Sequence, residues 1–77
     1  MPQEREWLIT LLHAATVSKK IGGMILLSME TEKQVDEMLL FLANRYNEKN
    51  DTVEVTVEEL LAEAMRINPE ALWLKNL

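Results

Sequence analysis

The stretch "TEKQVDEMLLFLANRY", residues 31–46, decides the fold class. Thr31 and Gln34 have the spacing of a capping box, in which two side chains satisfy free backbone amides at a helix start. Apolar side chains then recur at intervals of three and four residues, as one buried helix face requires; they are Val35, Met38, Leu39, Leu42 and Tyr46. We therefore predict a helix that begins near Glu32 and buries this stripe in a core.

Leu40 and Phe41 belong to the same apolar run but not to the same face. On a helix with 3.6 residues per turn they lie outside this apolar face, on opposite sides of it. A helix that covers a single core has no need of them. We therefore treat both as candidates for a second contact.

Upstream, the sequence predicts one long helix over about residues 3–20. Pro2 suits a first turn, Lys19 and Lys20 suit the negative end of the helix dipole, and Gly22-Gly23 is typical of a helix stop. The expected core face comprises Trp7, Leu8, Leu11, Leu12 and Ala15, whereas Ile9 and Val17 lie off it.

The run "MILLSM", residues 24–29, fits either a short buried helix or a short buried strand. We favour a helix, because Met and Leu are good helix formers and only Ile25 is β-branched.

Downstream, "TVEVTV", residues 52–57, alternates β-branched with polar residues and predicts a half-buried extended segment. Its pairing is open: with residues 24–28 if they are extended, with no strand at all, or with a second copy of the chain.

A second capping-box spacing, Thr56 with Glu59, predicts a helix over about residues 57–67. Asn68-Pro69 should stop it and start a last short helix, with Asn68 as the cap and Pro69 in its first turn. The expected architecture is all-α: a single domain over residues 1–77, built as a compact bundle of four to five short helices, with one short extended segment near residues 52–56.

Charge limits the range of partners. The net charge is −5, and it divides as +1 over residues 1–23, −2 over residues 24–50 and −4 over residues 51–77. An acidic surface repels phosphate backbones and anionic lipids, so nucleic acid is an unfavoured partner and no membrane contact is expected. No apolar run approaches the roughly 20 residues that a membrane-spanning helix needs.

Residues for catalysis or metal binding are scarce. The chain has no cysteine and a single histidine, His13, on the polar side of the first predicted helix. We expect no metal, no cofactor, no small-molecule substrate and no enzymatic activity, because such sites need several converging ligands or a nucleophile with its base. The absence of cysteine and of a basic, apolar leader favours the cytoplasm.

More apolar side chains are present than short helices can cover. The candidate interface residues are Ile9, Leu40, Phe41, Trp73 and Leu77. We expect a protein-protein interaction module, such as a regulator, adaptor or inhibitor, that forms a homodimer or presents its acidic C-terminal half to a basic protein. The alternative is a small DNA-binding regulator that uses Lys19 and Lys20, and a more distant one is a small enzyme or metal protein.

Overall fold

Four α-helices and one short hairpin make up the described part of the chain, residues 2–15 and 17–77 of the computed structural model. In chain order the elements are α1 (Pro2–Ala14), α2 (Lys19–Ser28), α3 (Glu32–Ala43), β1 (Tyr46–Asn47), β2 (Thr52–Val53), α4 (Val57–Ile67) and a 3₁₀ helix (Leu72–Asn76). This arrangement confirms the predicted all-α bundle with a short extended segment.

Capping boxes open both α3 and α4, as their spacing predicts. The hydroxyl of Thr31 accepts the amide of Gln34 (3.1 Å), and the Gln34 side chain accepts the amide of Thr31 (3.2 Å). Thr56 and Glu59 make the same reciprocal pair, with both bonds at 3.0 Å. Both helix starts are therefore set by local hydrogen bonds that satisfy otherwise unpaired amides.

The prediction of one helix through residue 20 is wrong. α1 ends at Ala14 and α2 begins at Lys19, because Ser18 adopts an extended conformation (φ −63°, ψ 156°) and its hydroxyl caps a new helix through the amide of Ile21 (3.1 Å). Gly22 and Gly23, predicted as the stop, lie inside α2 with no positive φ. The prediction of helix over residues 24–29 is confirmed as far as Ser28.

The C-terminal end of α2 is held by side chains from two other helices. The Arg5 guanidinium on α1 donates to the carbonyls of Leu26 (3.3 Å) and Met29, so the first turns of α1 lie beside the C-terminal end of α2. The buried Asn68 amide donates to the carbonyl of Ser28 (2.8 Å). Carbonyls at the end of α2 and just beyond it therefore accept hydrogen bonds from other parts of the chain.

Asn68 does not cap a last α-helix, and that prediction is also wrong. It is the C-terminal cap of α4, and its side chain is committed to the Ser28 carbonyl and to the amide of Glu70 (3.2 Å). The final element is a 3₁₀ helix that begins only at Leu72.

The extended segment pairs within the chain. β1 and β2 are antiparallel, with Tyr46 opposite Val53 and Asn47 opposite Thr52. Asp51 has a left-handed backbone (φ 50°) in the tight connection. Tyr46, predicted as the last core residue of the third helix, is instead an exposed strand residue, because the chain leaves α3 at Ala43.

One apolar core joins all four helices, β2 and the 3₁₀ helix. Its fully buried members include Leu8, Ile25, Met38, Leu42, Leu60 and Leu74. Trp7 was predicted to belong to this core but is 55% exposed. The buried residues of α1, Leu8 and Leu12, are centred about 120° around the helix from Trp7, which leaves Trp7 at the rim.

Candidate interaction surface

Large apolar side chains are exposed in several parts of the described surface. They are Trp7, Ile9, Leu27, Leu40, Tyr46, Leu72, Trp73 and Leu77. Four of the predicted interface residues are in this set, and Phe41 is the exception. A bundle of this size has not covered them, so they are available for contact with another molecule.

A shallow, largely apolar groove lies between α1 and α3 and is here called the α1–α3 groove. It has a volume of about 500 Å³ and is lined by Trp7, Thr10, Leu11, Asp36, Leu39, Leu40 and Ala43. Leu40, which is 64% exposed, lies in the wall of the groove, and Trp7 also lies in the wall. From Asp36 to Ala43 the groove follows α3 for roughly 10 Å, at about 1.5 Å per residue.

The α1–α3 groove offers few polar groups. The hydroxyl of Thr10 is occupied, because it donates to the carbonyl of Glu6 one turn earlier (3.0 Å). Of the residues that line the groove, Asp36 alone is ionisable, and its side chain is exposed at the N-terminal end. The groove can therefore accept an apolar side chain along its length and a cation at one end.

Ile9 lies in a different depression, at the corner between α1 and α2. This corner pocket has a volume of about 220 Å³ and is lined by Ile9, Leu12, His13, Val17, Ser18, Lys19, Gly22, Gly23 and Leu26. Lys19 and Lys20 are exposed in the first turn of α2, not at the end of a helix as predicted. The structure does not bring Ile9 together with Leu40.

The 3₁₀ helix and the residue after it carry further exposed apolar side chains, here called the 3₁₀ patch and defined as Leu72, Trp73 and Leu77. Ala71 and Leu74 are buried in the core beneath it, and so they hold the exposed side chains outward. Lys75 is exposed beside the patch. Trp73 and Leu77, four residues apart, would share one face of an α-helix, but in a 3₁₀ helix with three residues per turn that spacing places them about a third of a turn apart.

The surroundings of Phe41 differ from those of Leu40. It is half-buried against the core, and the Arg45 guanidinium covers its ring with its central carbon 5.1 Å from the ring centroid. Arg45 is itself bound to the Glu59 carboxylate (3.0 Å) and to the Glu54 carbonyl (3.4 Å). These contacts tie Phe41 into the junction of α3, the hairpin and α4.

Hydrogen bonds shift the pKa of two groups near the hairpin. The amide of Thr56 and then the guanidinium of Arg45 hold the pKa of Glu59 below its ordinary value. The hydrogen bond from the Tyr46 hydroxyl to Asp51 (2.8 Å) raises the pKa of Tyr46. Both groups have structural partners in capping and in the hairpin, and neither lines a pocket described above.

Other side chains with catalytic or metal-binding chemistry are scattered over the described residues. Within residues 2–15 and 17–77, no group of three or more histidine or acidic side chains is arranged to hold a metal ion. His13 is exposed at the rim of the corner pocket. No helix in the described chain has the length and apolar character needed to cross a membrane.

Four of the exposed apolar residues were not among the predicted interface residues: Trp7, Leu27, Tyr46 and Leu72. Trp7 lies at the edge of the predicted core arc, and that position was the signal that could have identified it as an exposed residue. Leu27 is 69% exposed on α2, and an uninterrupted apolar run carried no periodicity from which its direction could be read.

Comparison of the chain with protein-family models, with curated proteins and with solved structures finds no match.

Proposed function

We propose that this chain is a small, cytoplasmic protein-protein interaction module that binds a second copy of itself and acts by occupying a surface. The observation that carries the proposal is the α1–α3 groove, where Trp7 and Leu40 remain more than half exposed around an almost wholly apolar lining. Contiguous apolar surface of this kind is typical of interaction sites in small proteins.

The size of the molecule supports this proposal. Removing one large apolar side chain from water stabilises an assembly by about 1.5–3 kcal/mol. A stable interface takes roughly 800 Å² from each partner, which is about one sixth of the 5043 Å² accessible surface of this chain. An interface of that size would therefore extend beyond the α1–α3 groove onto other exposed residues.

Sedimentation equilibrium over a range of protein concentrations tests the proposal. Wild type should shift from the 8.9 kDa protomer towards twice that mass. Leu40→Glu should remain a protomer with an unchanged circular dichroism spectrum, because Leu40 is mostly exposed and the charge would be desolvated only on association.

Leu27→Glu is the matched control. Leu27 is exposed to a similar extent but lies on α2, outside the groove, so this variant should associate like wild type. Self-association is disproved if wild type keeps the protomer mass at every concentration tested.

A second candidate function is the binding of a basic protein by the acidic C-terminal half. Glu54, Glu58 and Glu70 are exposed there, in the part of the chain that carries −4. Salt separates the two candidates, since roughly 0.5 M salt shortens the Debye length to about 4 Å and weakens steering by carboxylates. Association through the apolar groove should survive that salt concentration.

A further inference from the structure

If two copies associate through the α1–α3 groove, as proposed above, some part of the second copy must fill it. We propose that the occupant is the 3₁₀ patch of the second copy, with Trp73 seated in the groove and Lys75 facing Asp36. The same molecule then carries both halves of the contact.

Shape favours the 3₁₀ patch packed into the groove over two grooves packed against each other. The groove is a depression of about 500 Å³, and two depressions placed face to face would enclose unfilled space. Unfilled space at an interface forfeits the dispersion contacts that close packing provides. The 3₁₀ patch is the opposite shape, because Ala71 and Leu74 are buried beneath it and its exposed side chains project outward.

The periodicity of the 3₁₀ helix places a cation beside the anchor. Residues three apart eclipse in a 3₁₀ helix, so Lys75 lies above Leu72, next to the face that carries Trp73. At a rise of about 2 Å per residue, Lys75 is roughly 4 Å further along the axis than Trp73. This axial distance is shorter than the roughly 10 Å that the groove follows along α3, so Lys75 can lie near one end of the groove when Trp73 is inside it.

Charge favours the same pairing. Asp36 is the ionisable group of the groove, and covering a carboxylate without a partner costs several kcal/mol. Groove against groove would bring two copies of Asp36 into one interface. The 3₁₀ patch instead brings the exposed ammonium of Lys75 to the acidic end.

The contact is heterologous, since a patch on one copy meets a groove on the other and every copy has one of each. A dimer closes when both contacts form between the same two copies; otherwise association continues beyond two copies. This asymmetry makes a mixing experiment decisive. Leu40→Glu destroys the groove but keeps the patch, whereas Trp73→Ala weakens the patch but keeps the groove.

Each variant alone should sediment as a protomer at concentrations where wild type is associated, and an equimolar mixture of the two should recover a 1:1 complex through the one intact contact. Loss of Trp73 should raise the dissociation constant at least about 30-fold, as expected for a tryptophan at the centre of an interface. Circular dichroism of each variant checks that it is folded.

A charge exchange provides a test that does not touch the apolar residues. Asp36→Lys alone and Lys75→Glu alone should each weaken association about 5-fold, and the double variant should return towards wild type. Both side chains are exposed, so neither change is expected to unfold the bundle.

The outcomes separate this inference from the function on which it rests. A wild-type chain that never associates would contradict both self-association and the 3₁₀ patch as the occupant of the groove. A wild-type chain that associates, together with a Trp73→Ala variant of equal affinity and no recovery on mixing or charge exchange, removes the 3₁₀ patch as the occupant and leaves self-association standing.

Discussion

α2 and α4 are helices of nearly equal length, 10 and 11 residues, and each begins at a hydroxyl cap, yet they are stabilised in different ways. α4 has favourable local signals at both ends: a capping box, two glutamates in its first turn and Arg66 in its last, paired with Glu63 at 2.6 Å. α2 has two lysines in its first turn, two glycines inside and no basic residue in its last turn.

What α2 lacks in its own sequence is supplied by other elements. Ile25 is fully buried in the shared core, and the carbonyls at the C-terminal end accept hydrogen bonds from Arg5 and Asn68. Helices in proteins draw most of their stability from tertiary packing, and α2 depends on it more than α4 does. A helix can thus be specified by residues that lie far from it in the sequence.

The largest effect is expected at the link between these two helices. Asn68→Ala would leave the buried Ser28 carbonyl without its partner, so it should lower the free energy of unfolding by about 1–3 kcal/mol. Urea unfolding at one fixed protein concentration measures this free energy. The dependence of the free energy on urea concentration should be the same in both proteins if the transition stays two-state.

Asn50→Ala makes the same chemical change in the exposed hairpin loop and should stay within about 0.5 kcal/mol of wild type. Equal losses at the two positions would mean that the end of α2 does not depend on Asn68, and the distinction between the two helices would lose its main support.

The next effect concerns the local signals of α4. Thr56→Ala removes the hydroxyl that accepts the Glu59 amide, so it should cost about 1 kcal/mol. Thr31→Ala removes the same bond from α3 and should cost a similar amount. A melting midpoint that does not move in either variant would contradict the view that these starts are set by their capping boxes.

Sequence reasoning succeeded where the information is local. The starts of α3 and α4 follow from residues three apart, and the exposure of Leu40 follows from its place on the helix wheel. The start of α2 could not be predicted in the same way, because one serine cap competes there with lysines and glycines that favour a helix end. β1 is only two residues long, and Tyr46 fitted the periodicity of α3 as well as it fits a strand.

The candidate surface was predictable to a similar degree. Excess apolar residues in the sequence indicated exposed positions, and Leu40, Trp73 and Leu77 are exposed in the structure. Their function in association stays a prediction. The sequence could not indicate that Trp7 joins Leu40 across a groove, because that depends on how α1 packs against α3.

A smaller effect is expected inside α2. Gly23 has no atom within 4 Å of where a β-carbon would stand and no positive φ, so Gly23→Ala should stabilise the protein by roughly 0.8 kcal/mol through higher helix propensity. Ala62→Gly, at an exposed position in α4, should cost a similar amount. Thermal unfolding of the two variants measures both changes.

If Gly23→Ala were destabilising, the glycine would be required by its surroundings and α2 would not be weakened by its own sequence. Gly22→Ala checks the same point at a closer site, where the added β-carbon would meet Val17 at 3.7 Å in ordinary van der Waals contact.

The smallest effect tests the charge at the helix starts. Lys19 stands at the positive end of the α2 dipole, so Lys19→Glu should raise the free energy of unfolding by about 0.5 kcal/mol at low ionic strength. Glu58→Lys makes the reverse change in the first turn of α4 and should lower it by a similar amount. Both changes should shrink in high salt, because these side chains are exposed and their interaction with the dipole is screened. The reverse pair of shifts would mean that net charge, not the dipole, governs stability. At −5, Lys19→Glu would then destabilise the protein by adding to self-repulsion, and Glu58→Lys would stabilise it by relieving self-repulsion. Stabilisation by Lys19→Glu together with destabilisation by Glu58→Lys therefore identifies the local electrostatics that distinguish α2 from α4.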